Sequence, residues 1–542
     1  MQLERIFSII GIIVMFASCT SSNEDFELYE QTSMSKPELL EFSSSPYSME
    51  IMAQAYDYVK CNSTRGATVE METITPTHRY VRFTPTNRYQ VDALNEHFTL
   101  YNFPLDSIPH TNSNEAVDAI SDDGNLYAMI EYNTILPDSI AYTEIGRYHN
   151  PYDSSVSVDN SLTEEIIKTA HAISMYGDVS MAQNITPWRP SGTIRVWDDL
   201  TNDYVALEGL QVHIAYSGIS DPYPVETDEY GNFSGNIAFS DDVSYIIQWK
   251  GDEWAIKFNE MNPAMTVSYS SRMPLDLYIH KTSTATYNVA TVYRAATFYW
   301  NFAFECTPPT MSEIVKITCH DYEHDDYYGV FYPSDRKADE PQIEIWCGNR
   351  FSQGIMSTTF HELAHAAHYA TAGKTRFNST DKLIKESWAR YIQSILVDRL
   401  YSFLSWSPNI DYSLLLHNDI LYLCDNYQCF TEYTPDDYNI QSWKYSPNYT
   451  LLNYSPLFID ITDGFNQREW YQNLNYSGLT NYPNDKIRVN GGTELIEDLV
   501  FNNTTLSGVK SDLLQYISEK SYEISTDDVN DLFEIYERIV NN

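Results

Sequence analysis

The run Ser357-Thr-Thr-Phe-His361-Glu362-Leu-Ala-His365-Ala-Ala-His368 constrains this chain more than any other stretch. Met356, Phe360, Leu363, Ala364 and Ala367 recur as one apolar stripe of a 3.6-residue helix, with the polar residues on the other side. His361 and His365 are one turn apart, so both imidazoles leave the same face and can reach a single Zn²⁺. Glu362 then lies beside the ion, placed to act as general base on a water held there. The alternative is a surface helix whose histidines are merely solvated. His368 shares the face, but positions i and i+7 are about 10.5 Å apart along the axis, too far for three ligands of one straight helix to converge. The third ligand must come from another element.

Gly373 offers an end to this helix. Ser379-Thr380-Asp381 offers N-cap chemistry for a second one, Lys382 to about Leu400, which carries Glu386-Ser-Trp-Ala-Arg-Tyr391 near its start. A lone helical Glu is usually a surface carboxylate; behind an HExxH it reads better as the missing ligand. His361-Glu362-x-x-His365 followed 21 residues later by Glu386 resembles the gluzincins, the thermolysin and aminopeptidase N type of zinc peptidase. Glu386-Ser-Trp-Ala-x-Tyr is also similar to the Glu-Gly-Phe-Ala-x-Tyr pattern of the aminopeptidase branch. Metzincins are disfavoured, because they carry Gly where this chain has His368 and their third His where it has Thr371.

The resemblance implies a Zn²⁺ held by His361, His365 and Glu386, with Glu362 catalytic and a water in the fourth position. The expected activity is hydrolysis of peptide bonds in proteins or peptides outside the cytoplasm. It also implies a strand that borders the cleft and pairs with an extended substrate, here placed on Ile343–Trp346. An oxyanion-stabilising Tyr or His should follow the Glu ligand by roughly 60 residues, and Tyr449, Tyr454 and His417 are the candidates. One departure is Arg390, which stands where thermolysin has an Asp that orients a zinc histidine.

Lys plus Arg number 33 against 75 Asp plus Glu, a net charge of −42 over 542 residues. Such a surface repels phosphate backbones and excludes nucleic acid as a partner. Ile6 to Ala17 is an apolar run too short to span a bilayer, preceded by Arg5 and followed by Ser18-Cys19. This resembles a bacterial lipoprotein signal covering residues 1–19, which implies membrane attachment through a lipid on Cys19. The protein is then expected in the outer membrane, at the cell surface or on the periplasmic face. Ser22-Asn-Glu24-Asp25 resembles the acidic export signal of Bacteroidota surface lipoproteins. Six other Cys are free to pair in an exported protein, Cys424 and Cys429 being nearest in sequence, and none has CxxC spacing.

Residues 20–45 read as a tether. An N-terminal α/β module follows over 46–186; Pro76 to Pro85 and Phe103-Pro-Leu-Asp106 are similar to a module of Bacteroidota surface proteins. After Pro187-Trp-Arg-Pro190 come alternating strands at Gly192–Trp197, Leu210–Tyr216, Glu226–Phe233 and Ser244–Trp249. Their Thr-Asp-x-x-Gly-x-Phe turn resembles the carboxypeptidase regulatory-like β-sandwich, assigned to 187–285 and read as a spacer or docking module. Residues 286–542 form the zinc domain, mostly helical with a small sheet. The acidic stretch His320–Asp326 is read as a solvated loop rather than a cation site. The whole is a multidomain α+β chain, expected to be monomeric and to act on a protein or peptide substrate. A glycoprotein-directed peptidase that docks glycans through its accessory modules, and a non-catalytic surface binding lipoprotein, are the alternatives.

Overall fold

The computed structural model describes residues 45–62, 74–105, 124–151, 160–404 and 457–541, apart from short stretches inside them. The leader with Cys19, nearly all of the tether, Cys424, Cys429 and the oxyanion candidates His417, Tyr449 and Tyr454 lie outside the described residues. Helices and sheets alternate along the chain in the multidomain α+β arrangement expected.

The N-terminal module runs α1 (Met49–Asn62), β1 (His78–Thr84), α2 (Arg88–Asn95), β2 (Leu126–Glu131), β3 (Ala141–Tyr148) and α3 (Asn160–Tyr176). Its antiparallel sheet has the order β2-β1-β3. α1 buries Ile51, Met52, Ala55, Tyr56 and Val59, a helical stripe, in a core shared with Tyr80, Tyr127 and Ile166. That core continues into Ala215 and Ile246 of the following module, and Tyr101 Oη lies 3.0 Å from His213 Nδ1, so the two modules are packed together.

His171 on α3 is fully buried and edge-on to Tyr47. Burial, helped by the charge of Arg272, lowers its pKa from 6.5 to about 3. Folding therefore favours the neutral ring. Its contribution is complete above pH 6.5 and is lost as pH falls from there towards the folded value. At pH 5 the expected loss is about 2 kcal/mol. Urea unfolding at pH 7 and pH 5 should show that His171→Gln loses less stability on acidification than the native chain by about that amount.

The sandwich segment holds β4 (Ser191–Asp198), β5 (Asp203–Ala206), β6 (Gln211–Tyr216), β7 (Ile219–Ser220), β8 (Val225–Glu226), β9 (Asn232–Ser234), β10 (Val243–Gln248), β11 (Trp254–Phe258), β12 (Met265–Ser270) and β13 (Leu275–Ile279). One sheet runs β12-β10-β6-β7 with β8 on β6, the other β13-β4-β5 with β9 on β4. β4 alternates as read from its sequence, with Ile194 and Val196 buried and Arg195 and Trp197 turned out. Gly192 is needed there, since a Cβ would stand 2.2 Å from the Leu275 carbonyl oxygen of β13.

β11 leaves the sandwich. It pairs in parallel with β14 (Val315–His320), in a sheet completed by β15 (Gly329–Phe331) and β16 (Ile343–Trp346) in the order β11-β14-β16-β15. The boundary expected at 285/286 thus passes through a shared sheet. Helices α4 (Thr284–Asn301), α5 (Ser352–Ala372), α6 (Lys374–Ser379) and α7 (Lys382–Leu404) pack beside it, followed by α8 (Leu457–Thr462), α9 (Gly492–Asn502), α10 (Leu506–Glu519) and α11 (Thr526–Asn541). One continuous apolar core runs from Ile194 in β4 to Tyr536 in α11. The sandwich is therefore part of the frame that holds α5, not a separate bead.

Candidate metal centre

α5 is buried from Ser352 to His368, and Gly373, at φ +77°, ends it where the sequence suggested. Its polar side faces α7 rather than water, so the solvated surface helix is not what forms. α7 begins at Lys382 as expected and runs beyond Leu400 to Leu404. Two contacts lock the helices together: Trp388 Nε1 donates to the Ala364 carbonyl at 2.9 Å, and Gln393 Nε2 donates to Ser357 Oγ. Trp388 is fully buried, and its wedge between the helices sets Glu386, half a turn earlier, against the histidine face.

The three predicted ligands meet. His361 Nε2 lies 3.2 Å from His365 Nε2, and Glu386 Oε2 lies 3.3 and 3.5 Å from those two nitrogens. All three residues are at least nine-tenths buried. Donors placed about 2.0–2.1 Å from a common ion at tetrahedral angles are separated by about 3.3 Å, which is the spacing found. Two imidazoles and a carboxylate in this arrangement could hold a metal ion, and among the described residues no other trio of ligating side chains comes together. The described part of the His320–His324 loop contributes to none.

The electrostatics are those of a tightly coupled buried group. Burial lowers the His361 pKa to about 4. At His365 burial acts the same way, but the adjacent Glu386 carboxylate outweighs it and raises the pKa. For Glu386 burial would favour the neutral acid; the charge of His365 and hydrogen bonds from both imidazoles reverse this and hold it ionised, well below the usual carboxylate range.

Glu362 belongs to no part of the ligand trio. Burial pushes its pKa up to about 7, opposed by the charge of His365 and by a hydrogen bond from the Phe331 backbone N–H. That bond identifies the strand over the site. Ile343–Trp346, expected to border the cleft, is instead flanked on both sides, by β14 and by β15. The edge belongs to Gly329–Phe331, which folds back antiparallel on β16 and closes over α5. A Cβ on Gly329 would stand 2.6 Å from Thr358 Cγ2, 2.8 Å from Glu362 Cγ and 3.0 Å from Glu362 Oε1. Gly329→Val is therefore expected to keep the metal and lower turnover about tenfold or more by displacing the carboxylate or the strand; metal content and peptide hydrolysis measured together check this.

Arg390, in place of an orienting carboxylate, is buried, and its positive charge opposes protonation of His361. His365 Nδ1 is buried with no hydrogen-bond partner among the described residues. His368 stays out of the trio, as its distance along the helix required. It packs between Phe377 and Phe501, with ring centroids 5.1 and 5.7 Å away, and burial lowers its pKa to about 3. No protein-family model matches the chain, and no curated protein or solved structure does either. The site rests on its own geometry.

Proposed function

We propose that the chain is a zinc-dependent peptidase of the gluzincin type, in which His361, His365 and Glu386 hold Zn²⁺ and Glu362 is the general base. The observation that carries this reading is the tetrahedral-edge spacing of the three donors, with a fourth carboxylate buried beside them and left out of the set. A Zn²⁺ bound there would act as a Lewis acid on the scissile carbonyl and lower the pKa of a water it holds. Glu362 takes the proton of the attacking water and returns it to the leaving amine. The outer edge of Gly329–Phe331, paired with no other strand among the described residues, receives an extended peptide by backbone hydrogen bonds and lays it across Glu362.

A purely structural metal site would have no use for Glu362, which speaks against a non-catalytic binding protein. A lipid on Cys19 would place the enzyme in the outer membrane, facing protein or peptide substrates in the periplasm or outside the cell. An aromatic row on the sandwich favours one second reading, a peptidase that docks glycoproteins. Tyr204 lies 5.3 Å from Trp197 and 5.1 Å from Tyr278, and Tyr278 is 47% exposed. The test is mass-spectrometric cleavage profiling on a library of peptides and glycopeptides, with and without a chelator. Cleavage abolished by chelation and restored by Zn²⁺ supports the proposal, and chelator-insensitive cleavage or none at all removes it.

A further inference from the structure

α5 starts without a cap of its own: Phe351 holds the N-cap position and its side chain bonds nothing in the first turn. The cap comes from the sandwich. In the turn between β4 and β5, Asp199 Oδ2 accepts the Ser352 N–H at 3.0 Å, and the Asp199 N–H donates to Ser352 Oγ at 2.8 Å, across 153 residues of chain. The same carboxylate accepts from Tyr287 on α4 at 2.8 Å, from Trp197 at 3.1 Å and from Lys281 at 3.2 Å. Burial alone would raise its pKa, but these donors, the Ser352 N–H foremost, hold it below the usual range, so a full negative charge sits at the positive end of α5. Asp198, fully buried, accepts from Arg294 on α4 at 2.5 Å and from Tyr401 on α7 at 3.1 Å, and its other oxygen takes the Leu200 and Thr201 N–H groups.

One dipeptide therefore grips the start of the helix that carries His361, Glu362 and His365, and the far end of the helix that carries Glu386. We infer that Asp198 and Asp199 are positioning residues of the metal centre, which from a single sandwich turn fix the placement of α5 relative to α7. Buried ion pairs such as Asp198–Arg294 add little net stability, because desolvation offsets the attraction; what they specify is geometry. The geometry needed is demanding. Ser352 is about 13 Å along α5 from His361, and Tyr401 about 22 Å along α7 from Glu386, so a small tilt at either anchored end becomes a shift of several tenths of an ångström between the ligands.

This inference rests on the metal-centre reading, and its test separates the two. Zn²⁺ affinity is measured by competition with a chromophoric chelator, and ligand geometry by the visible spectrum of the Co²⁺-loaded full chain. Asp199→Ala is expected to weaken Zn²⁺ binding about tenfold and to alter the Co²⁺ bands, and Asp199→Asn, which still accepts from Ser352, to fall between it and the native chain. Ile246→Ala, a core deletion in β10 against the N-terminal module, should lower Tm at least as much yet leave affinity and spectrum unchanged. Should Asp199→Ala fail to fold, Tyr401→Phe, which removes the hydroxyl that bonds Asp198, is expected to weaken Zn²⁺ binding a few-fold. Native Zn²⁺ affinity in the folded Asp199 or Tyr401 variants, or an equal loss in Ile246→Ala, overturns the positioning role. A native chain that binds neither ion overturns the metal centre with it.

Discussion

Glu362→Gln is expected to bind one Zn²⁺ per chain with native affinity and to lose peptide hydrolysis by about 10²–10⁴-fold, the range that general-base catalysis contributes. The substitution keeps the shape of the side chain, so the close fit of Gly329 over it is preserved. The amide still accepts the hydrogen bond of the Phe331 N–H, as the carboxylate does. What it cannot do is take a proton from water. Because Glu362 lies outside the trio of His361, His365 and Glu386, metal content should not move. Removing a buried carboxylate whose pKa is already pushed up to about 7 should also leave thermal stability near native. Kinetics on any peptide found by cleavage profiling, with elemental analysis of the same sample, decides the matter. A native rate in this variant would remove Glu362 from the mechanism.

Glu386→Ala acts on the other half of the site. The carboxylate supplies the only negative charge in the trio and meets both imidazoles at 3.3 and 3.5 Å. Without it two neutral nitrogens 3.2 Å apart face a cavity, and two ligands do not retain a first-row ion against dialysis. Metal is expected to fall below about 0.1 per chain and activity to fall with it. Stability should fall as well. The cavity beside Trp388 costs on the order of 2–3 kcal/mol, and His365 loses the neighbour that raised its pKa. Glu386→Gln, which keeps the volume and an oxygen donor, should recover the fold and only part of the metal. Full occupancy in Glu386→Ala would mean that another side chain completes the site.

The metal trio was legible because each of its signals is local. The 3.6-residue stripe from Met356 to Ala367, the stop at Gly373 and the start at Lys382 mark both helices, and ligand spacing on them follows from helix geometry. The burial of that site was not legible. A helix whose His, Glu, Ser and Thr residues are all covered looks amphipathic in sequence, and only the fold shows that α7 covers its polar side. Gly329-Val330-Phe331 escaped because three residues carry no usable periodicity; the glycine was the one hint of close approach. β11 is a short apolar strand buried at every position but Lys257, and nothing in Trp254–Phe258 says that it pairs with β14. Asp198 and Asp199 resemble the acids of any solvated turn. Their partners Ser352 and Tyr401 lie 153 and 203 residues away, beyond the reach of any local pattern.

Anomalous scattering at the zinc absorption edge, from crystals of the full chain grown with Zn²⁺, tests the central claim most directly. The expected result is one peak within about 2.0–2.2 Å of His361 Nε2, His365 Nε2 and Glu386 Oε2, with Glu362 unligated beside it. A peak elsewhere, or none between these three side chains, would contradict it.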